Sequence, residues 1–325
     1  MVPRLLPVSL AALLALSHAQ AADWRADVIP APGRASEVDL TGSDVRVAVG
    51  RSWYKITGDP ARLEGASAPA RVTVPEDALP DASVGVGQET VARAWLAEPT
   101  RRYDHGVLGD AIEAGSLVVE HHDGKREVLR LSADAVFEDI TPRIVKLDGL
   151  ERIILVKSYL DRGSALAVID PRSARIIAET PPIGRPHAWL NPAGVADFDG
   201  DGVAEIALVR QPHVLGRLEL WAWQDGKLTK KIEIGDVANH FIGSRALGMS
   251  FVADFDGDGR PDLAVPSLDR RALRLVSFVP RPHDIARVLL PARIATNIGA
   301  VLIRGRRALI AGLDNGQLVL VHDTP

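Results

Sequence analysis

The sequence predicts an all-β fold, a β-propeller made of four-stranded antiparallel blades. Three observations predict it: a strand–loop–strand segment recurs, short runs of alternating apolar residues follow each recurrence, and no stretch keeps a helical periodicity. The recurrences are anchored at Asp110, Asp148, Asp199, Asp256 and Arg304, which are 38, 51, 57 and 48 residues apart. Intervals of this size fit one four-stranded blade per repeat.

Two near-copies of one acidic loop are the most specific of these repeats. ADFDGDGVAEIALV spans residues 196–209 and ADFDGDGRPDLAVP spans residues 253–266. Each loop has carboxylates at positions one, three, five and nine. Because such crowded carboxylates repel one another unless a cation lies among them, and Ca²⁺ prefers oxygen ligands, the loops predict two structural Ca²⁺ sites. The predicted ligands, with a backbone carbonyl at position seven, are Asp197, Asp199, Asp201, Val203 and Glu205 in the first loop and Asp254, Asp256, Asp258, Arg260 and Asp262 in the second.

The loops begin like an EF-hand but cannot complete one. An EF-hand needs a bidentate Glu at position twelve and a helix on each side. Position twelve is Leu208 in the first loop and Val265 in the second, and the flanking runs are rich in β-branched residues. Each loop is therefore predicted to join two strands, with the ninth-position acid closing the coordination.

The other repeats keep the strand–turn–strand outline without the full acidic set. Val145–Val156 is two residues shorter, Ala300–Leu313 has no acid, and His105–Val119 fits more loosely. The last repeat is one strand short, so a strand from before residue 100 is expected to complete it and close the ring. Seven blades are predicted, with six as the alternative. Hairpin turns are predicted at Asp123-Gly124, Asp225-Gly226 and Asn315-Gly316.

With these motifs, the chain resembles the FG-GAP or VCBS repeat family, which includes the blades of integrin α-subunit propellers. The shared pattern is D-x-D-x-D-G-x-x-[DE] between two strands, matched from Asp197 to Glu205 and from Asp254 to Asp262. A bacterial secreted VCBS-repeat protein is the nearer likeness. The resemblance implies a β-propeller with structural Ca²⁺ in the loops between strands of a blade, and it identifies no ligand.

The N-terminus has the pattern of a secretory signal peptide. Arg4 provides the positive charge, an apolar stretch follows from Leu5 to Leu16, and Ala19-Gln20-Ala21 is a cleavage site. We therefore expect a signal peptide over residues 1–21, cleavage near Ala21, and a single propeller domain over residues 22–325 whose clearest repeats run from about residue 105. A periplasmic or secreted protein without membrane insertion is predicted, because the apolar stretch is too short to span a bilayer.

Composition and missing motifs exclude several functions. The chain has no Cys, which excludes disulfides, zinc–thiolate sites and thiol nucleophiles. Its basic residues are dispersed and its net charge is −4, so no nucleic-acid surface is expected. No nucleophile elbow and no glycine-rich phosphate loop occurs, so no catalytic residue is assigned.

Three other features are weighed against simpler interpretations. His121-His122 is interpreted as a solvated hairpin tip rather than a metal site, and Trp221 and Trp223 as packing between blades rather than sugar-binding rings. Residues 94–110 are interpreted as a long connection between blades, with a functional face as the alternative.

The function predicted from these features is an exported, Ca²⁺-stabilised propeller that acts as a non-enzymatic binding or scaffold module for a protein or glycan partner. The alternative is a propeller enzyme acting on polysaccharide, as a lyase or glycoside hydrolase. A cluster of acid, His, Arg or Tyr side chains with shifted pKa values would favour the alternative.

Overall fold

The computed structural model describes residues 23–40, 44–303 and 305–324. The predicted signal peptide, residues 1–21, lies outside these ranges. The described residues form 24 strands and no helix, which confirms the all-β prediction. No helix in this part of the chain therefore has the length and hydropathy needed to cross a membrane.

The strands are short and follow one another closely along the chain. The first twelve are β1 (Trp24–Ile29), β2 (Ala35–Asp39), β3 (Arg46–Val49), β4 (Ser52–Thr57), β5 (Arg62–Ala66), β6 (Val91–Thr100), β7 (Glu113–His121), β8 (Arg126–Arg130), β9 (Ala135–Phe137), β10 (Arg143–Leu147), β11 (Leu150–Tyr159) and β12 (Gly163–Asp170). The other twelve are β13 (Arg175–Glu179), β14 (Leu190–Ala196), β15 (Glu205–Arg210), β16 (Arg217–Gln224), β17 (Lys227–Ile234), β18 (Phe251–Ala253), β19 (Asp262–Pro266), β20 (Ala272–Ser277), β21 (His283–Leu289), β22 (Gly299–Ile303), β23 (Arg306–Gly312) and β24 (Leu318–Asp323).

All strand pairs are antiparallel, and most sheets have four strands in simple up-and-down order. Three of them contain β2 to β5, β14 to β17 and β18 to β21 in chain order. An eight-stranded sheet contains β6 to β13. It consists of two successive units, because β6 to β8 form one run, β10 to β13 form the next, and β9 bridges them by pairing with both β7 and β11. Isolated bridges from Ala78 and Gly85 to β6 add a fourth, irregular edge to the first run.

The N-terminal strand completes the last sheet. β1 pairs with β24 over its whole length, from Trp24 opposite Asp323 to Ile29 opposite Leu318. The resulting sheet has the order β1-β24-β23-β22. The strand missing from the last repeat therefore comes from the start of the chain, as expected from the sequence.

The apolar core is divided into clusters that lie between neighbouring units. One large cluster joins the β18–β21 sheet to the sheet of β22–β24, and another joins β14–β17 to β18–β21. A third packs β10–β12 against β14–β16, a fourth joins β6 and β7 to β11 and β12, and a fifth joins β2 and β3 to β23 and β24. Burying apolar side chains between successive sheets is the main stabilising contribution to such an arrangement.

The acidic loops and the histidine-bearing loops lie at opposite ends of the same strands. β15 starts at Glu205, which is position nine of the first acidic loop, and ends just before His213. β14 starts just after Trp189 and ends at the first acidic loop. A strand of six residues is about 20 Å long, so two chemically different ends are well separated.

The repeat anchored at Asp110 was aligned wrongly from the sequence. Asp110 lies in the connection from β6 to β7, and that connection is at the end of the sheet that carries the histidines. The counterpart of the acidic loop in this unit is the turn over residues 86–90, which enters β6. The alignment failed because the first strand of this unit is irregular and carries no acidic motif.

The three predicted hairpin turns do join β7 to β8, β16 to β17 and β23 to β24.

Candidate functional site

The first acidic loop joins β14 to β15 and is folded by hydrogen bonds from its own backbone. The carboxylate of Asp197 accepts hydrogen bonds from the N–H groups of Gly200 and Gly202, at 2.8 and 2.9 Å. Further along, Asp201 N–H donates to Asp199 and Val203 N–H donates to Asp201. These hydrogen bonds hold the carboxylates against the backbone of their own loop. The acidic side chains are thereby brought close to one another.

The second acidic loop joins β18 to β19 and repeats this pattern position by position. Gly257 and Gly259 donate to Asp254 at 2.6 and 2.9 Å. Asp258 N–H donates to Asp256, and Arg260 N–H donates to Asp258. Because strands flank both loops, the exclusion of an EF-hand is confirmed.

Glycine is required at positions four and six of both loops. Gly200 and Gly202 have φ values of 74° and 88°, and Gly257 and Gly259 have 81° and 86°. Residues with a Cβ rarely adopt this left-handed region, so only glycine lets the chain curl around a common centre at two nearby positions.

In each loop, three carboxylates converge closely enough to hold a metal ion. The first group is Asp197, Asp199 and Glu205, and the second is Asp254, Asp256 and Asp262. In each group, one oxygen per residue lies within 4.8 Å of the others. Oxygen-only donors of this kind suit a hard divalent cation. The fifth-position acids and the carbonyls of Val203 and Arg260 are outside these groups, so their roles as ligands remain predictions.

The second group contains a buried oxygen with no hydrogen-bond partner. Asp262 is 1% exposed; its Oδ2 accepts a 2.9 Å hydrogen bond from Phe255 N–H, whereas its Oδ1 accepts none. Burial is the main reason that the pKa of Asp262 rises to about 6; the charges of Asp256 and Asp258 add to the rise, and the Phe255 N–H and the nearby Ser277 hydroxyl oppose it. A buried carboxylate oxygen without a hydrogen bond, on a residue that converges with two other acids, is an environment that a bound cation would satisfy.

The first group differs, because the ammonium of Lys231 lies among its carboxylates. Lys231 Nζ is 2.5 Å from Asp199 Oδ2, 2.6 Å from Asp201 Oδ2 and 3.3 Å from Glu205 Oε1. Burial acts to lower the pKa of Lys231, but the three carboxylates outweigh it and raise the pKa above its ordinary value. The lysine is therefore firmly protonated at neutral pH.

A second cluster of titratable side chains lies at the opposite end of the strands. Its centre is Glu138, which is fully buried, follows β9 and accepts a hydrogen bond from His105 Nδ1 at 2.6 Å. Ser158 and Ser164 donate hydroxyl hydrogen bonds to the same carboxylate. Burial raises the pKa of Glu138, and these hydrogen bonds oppose that rise. The carboxylate thus fixes the orientation of the His105 ring through its Nδ1 atom.

Aromatic and histidine rings surround this pair. His187 stacks on His105 with 5.2 Å between ring centroids, and its backbone N–H donates to the hydroxyl of Tyr103. The side chain of His187 is 49% exposed, whereas Tyr103 is buried. The interpretation of residues 94–110 as a long connection between blades is wrong, because residues 94–100 belong to β6 and the remainder joins β6 to β7, which pair within one sheet. The segment brings Tyr103 and His105 into this cluster.

Two further histidines lie against Trp189. His213 Nε2 and His240 Nδ1 share a hydrogen bond of 2.8 Å, and the ring of Trp189 lies 6.0 Å from His213 and 4.7 Å from His240. Burial lowers the pKa of His213 to about 4 and that of His240 to about 3. Both rings are therefore neutral at physiological pH. Sequence reasoning missed these residues because they come from separate loops and match no motif.

Exposed apolar side chains flank the two histidines. Val214 and Leu215 follow His213, and Ile242 comes shortly after His240; they are 63%, 51% and 68% exposed. Trp221 and Trp223 pack between units as predicted, in the cluster between β10–β12 and β14–β16. The predicted solvated hairpin tip holds for His122 only, because His121 is the last residue of β7, is half-buried and has its Nδ1 atom 3.0 Å from the carbonyl oxygen of Thr90.

Comparisons with known proteins agree with the repeat motif. Residues 197–265, which contain both acidic loops, match the model of the FG-GAP-like repeat family. The resemblance to FG-GAP repeats is thereby confirmed for this segment. A search of curated proteins found no match.

Two solved structures are similar at low sequence identity. BBS1N, in a crystal structure of its complex with ARL6DN soaked with mercury, has a TM-score of 0.41 and 16% identity, over 92% of this chain and 84% of that one. A Bacillus licheniformis rhamnogalacturonan lyase PL11 has a TM-score of 0.43 and 14% identity, over 84% of this chain and 56% of that one. The present chain thus spans little more than half the length of the lyase.

Proposed function

We propose that this protein is an exported, Ca²⁺-stabilised β-propeller that acts as a non-enzymatic binding or scaffold module. Of the two blade numbers expected from the sequence, seven and six, we propose six. The described strands support six, since they divide into four sheets of four strands and one sheet of two units. β1 closes the ring by joining the last blade, and the predicted signal peptide directs export to the periplasm or beyond.

The acidic loops support the calcium part of the proposal. They have matched hydrogen bonds and matched positive-φ glycines, and each brings three carboxylates together. The unpartnered oxygen of Asp262 gives this donor set a need for a cation. Ca²⁺ would be held by carboxylates alone or with the position-seven carbonyls, and it would contribute to stability rather than to chemistry.

The proposed binding function is supported by exposed apolar side chains on loops at the end of the strands opposite the acidic loops. Val214, Leu215 and Ile242 project from two loops that the His213–His240 hydrogen bond holds side by side. Large apolar side chains that remain exposed on adjacent loops are typical of surfaces that bind another molecule. Their apolar character favours a protein partner over a glycan, because sugar recognition uses polar groups and exposed aromatic rings.

A pull-down from the native envelope tests this surface. Mature wild-type protein is compared with the triple variant Val214→Ser, Leu215→Ser, Ile242→Ser and with the control Leu289→Ser, whose side chain is 77% exposed on β21. We expect a partner that wild type and control retain and that the triple variant loses. Equal retention by all three would contradict the proposal for this surface.

The second candidate is an enzyme acting on polysaccharide, and the His105–Glu138 pair favours it. A buried carboxylate that orients a histidine is a common arrangement for proton transfer. Turnover of a panel of glycans by wild type, with a loss of about 100-fold or more in His105→Ala, would establish this candidate. Absence of turnover across the panel would leave binding as the function.

A further inference from the structure

A lysine side chain lies among the carboxylates of the first acidic loop. The ammonium of Lys231 contacts three carboxylates of that loop, and it has three N–H donors with which to do so. The geometry points to Lys231 as a built-in replacement for the metal, so that only the second loop takes Ca²⁺. This inference rests on the proposed calcium function and goes beyond it, because it makes the two loops unequal.

The two sheets place different residues at the same position opposite these loops. The β16–β17 pairing has a bulge between Leu220 and Trp221, and Lys231 is the extra residue on β17. The β20–β21 pairing has the same bulge between Leu275 and Val276, and the extra residue on β21 is Ile285.

The register of the neighbouring strands makes the two extra residues equivalent. Leu220 pairs with Ala207 of β15, two residues after Glu205 at position nine. Leu275 pairs with Ala264 of β19, two residues after Asp262 at position nine. Lys231 and Ile285 therefore occupy equivalent places relative to their loops.

The environment of Ile285 explains why the second loop retains its need for an ion. Ile285 is partly buried and packs against the apolar cluster that contains Phe255. It offers no charge, and Asp262 Oδ1 is left without a partner. Arg260 does not compensate, because its guanidinium contacts Asp258 Oδ2 at 3.0 Å and its side chain is 45% exposed.

A tethered ammonium has two thermodynamic advantages over a free ion. Because Lys231 is covalently held beside the loop, its effective concentration exceeds that of dissolved Ca²⁺. A Ca²⁺ ion entering the first loop would have to break the three ammonium contacts and then lie close to the displaced positive charge. Both effects weaken Ca²⁺ binding at the first loop alone.

Counting bound ions by native mass spectrometry in Ca²⁺-containing buffer tests the inference with a reciprocal exchange. We expect one ion in wild type, two in Lys231→Ile and none in Ile285→Lys. The matched control is Lys230→Ile; Lys230 is the neighbouring residue and bonds Glu219 and Glu233 instead, so this variant should keep one ion. Circular dichroism spectra that match wild type show which variants are folded, and Lys231→Gln provides a milder alternative to Lys231→Ile.

The outcomes separate this inference from the calcium proposal. Two ions in wild type, or one ion in both folded Lys231 variants, would overturn the role of Lys231 while leaving Ca²⁺ stabilisation intact. No ion in wild type at millimolar Ca²⁺ would overturn both. A second readout is the melting temperature, whose dependence on Ca²⁺ should increase in Lys231→Ile and disappear in Ile285→Lys.

Discussion

Trp24 packs edge-on against Phe255, with 5.7 Å between ring centroids and 83° between ring planes. Trp24 starts the strand that completes the last sheet, and Phe255 is position two of the second acidic loop. Phe198, at position two of the first loop, makes the same kind of contact with Phe278, at 5.2 Å. Each acidic loop is thus joined to the apolar core of the next sheet.

The same two phenylalanines connect this packing to the carboxylates. The N–H of Phe198 donates to Glu205, and the N–H of Phe255 donates to Asp262. An ion that orders the ninth-position acid would therefore also order the residue that packs against the neighbouring sheet. A cation at the carboxylates, whether Ca²⁺ in the second loop or the Lys231 ammonium in the first, would thus be coupled to the contact between sheets through one phenylalanine in each loop.

The first prediction is that removing divalent ions destabilises the protein. EDTA should lower the melting temperature, and Ca²⁺ should restore it more effectively than Mg²⁺, which is smaller and demands a stricter geometry. At a tenfold excess over the dissociation constant, a site contributes about 1.4 kcal/mol, which corresponds to a shift of a few degrees. Differential scanning fluorimetry measures the shift.

Single substitutions test whether the Ca²⁺-dependent stabilisation comes from the second acidic loop. Asp256→Ala should remove the Ca²⁺-dependent part of the melting temperature at the second loop, whereas Asp123→Ala, in the β7–β8 hairpin turn, should leave it unchanged. A melt that ignores both EDTA and Ca²⁺ in a protein verified to be metal-free would contradict the prediction.

The second prediction concerns the Trp24–Phe255 contact. Phe255 is 6% exposed within the cluster between two sheets, so Phe255→Ala leaves a cavity and should cost about 3–5 kcal/mol of unfolding free energy. Guanidinium unfolding followed by tryptophan fluorescence measures the loss. Leu302→Ala, at a side chain that is 72% exposed, should change the stability by less than about 0.5 kcal/mol. A similar effect from both variants would argue against a packed interface here.

The third prediction concerns Glu151, which caps a turn of the preceding unit. Its carboxylate accepts hydrogen bonds from four consecutive backbone N–H groups, those of residues 88–91, at 2.7 to 3.0 Å. Burial acts to raise the pKa of Glu151, but these bonds outweigh it and lower the pKa below 4.5. In Glu151→Gln, the side-chain NH₂ group faces backbone N–H groups, which are also donors. The free energy of unfolding of this variant should therefore fall by about 2 kcal/mol at pH 7.

The pH dependence of that loss follows from the direction of the shift. A lowered pKa in the folded state stabilises the protein fully above the unfolded-state pKa, near 4.5, and the contribution disappears as pH falls through the folded-state value. The difference in stability between wild type and Glu151→Gln should therefore shrink below about pH 4.5. A difference that stays constant from pH 7 to pH 3 would exclude the carboxylate as its source.

The sequence predicts the acidic loops and the strands around them well, because their signals are local. The spacing from Asp197 to Glu205 and its repeat from Asp254 to Asp262 fix both the turn and its flanking strands. The strand that completes the last sheet was expected only from a count of strands. That it starts at Trp24 depends on pairing with residues about 300 positions away, which no local pattern encodes.

Two other features could not be predicted, for physical reasons. Lys231 looks like a solvated residue of an outer strand, and only the bulge on β17 turns its ammonium into the first loop. The His105–Glu138 pair joins residues from two loops, and its significance comes from burial, which depends on the finished packing. Charge patterns in the sequence cannot distinguish a surface acid from a buried one.

The last prediction concerns Glu113, at the start of β7. Glu113 is 2% exposed, and burial raises its pKa to about 9, with the charges of Glu138 and Asp110 acting in the same direction. In the unfolded chain, this carboxyl loses its proton near pH 4.5. The unfolded state is therefore favoured progressively as pH rises from about 4.5 to about 9, and wild type loses stability across that interval.

Glu113→Gln removes this titration while keeping the shape of the neutral acid. The stability of the variant relative to wild type should rise with pH between about 4.5 and 9 and be level outside that window. Urea unfolding at a series of pH values measures the difference, and other titrating groups largely cancel because both proteins contain them.

Glu120→Gln is the matched control on the same strand. Arg93 and Arg126 lower the pKa of Glu120, so its loss should produce no gain at alkaline pH. Parallel pH profiles for wild type and Glu113→Gln would show that Glu113 is ionised in the folded protein and would contradict a pKa raised by burial.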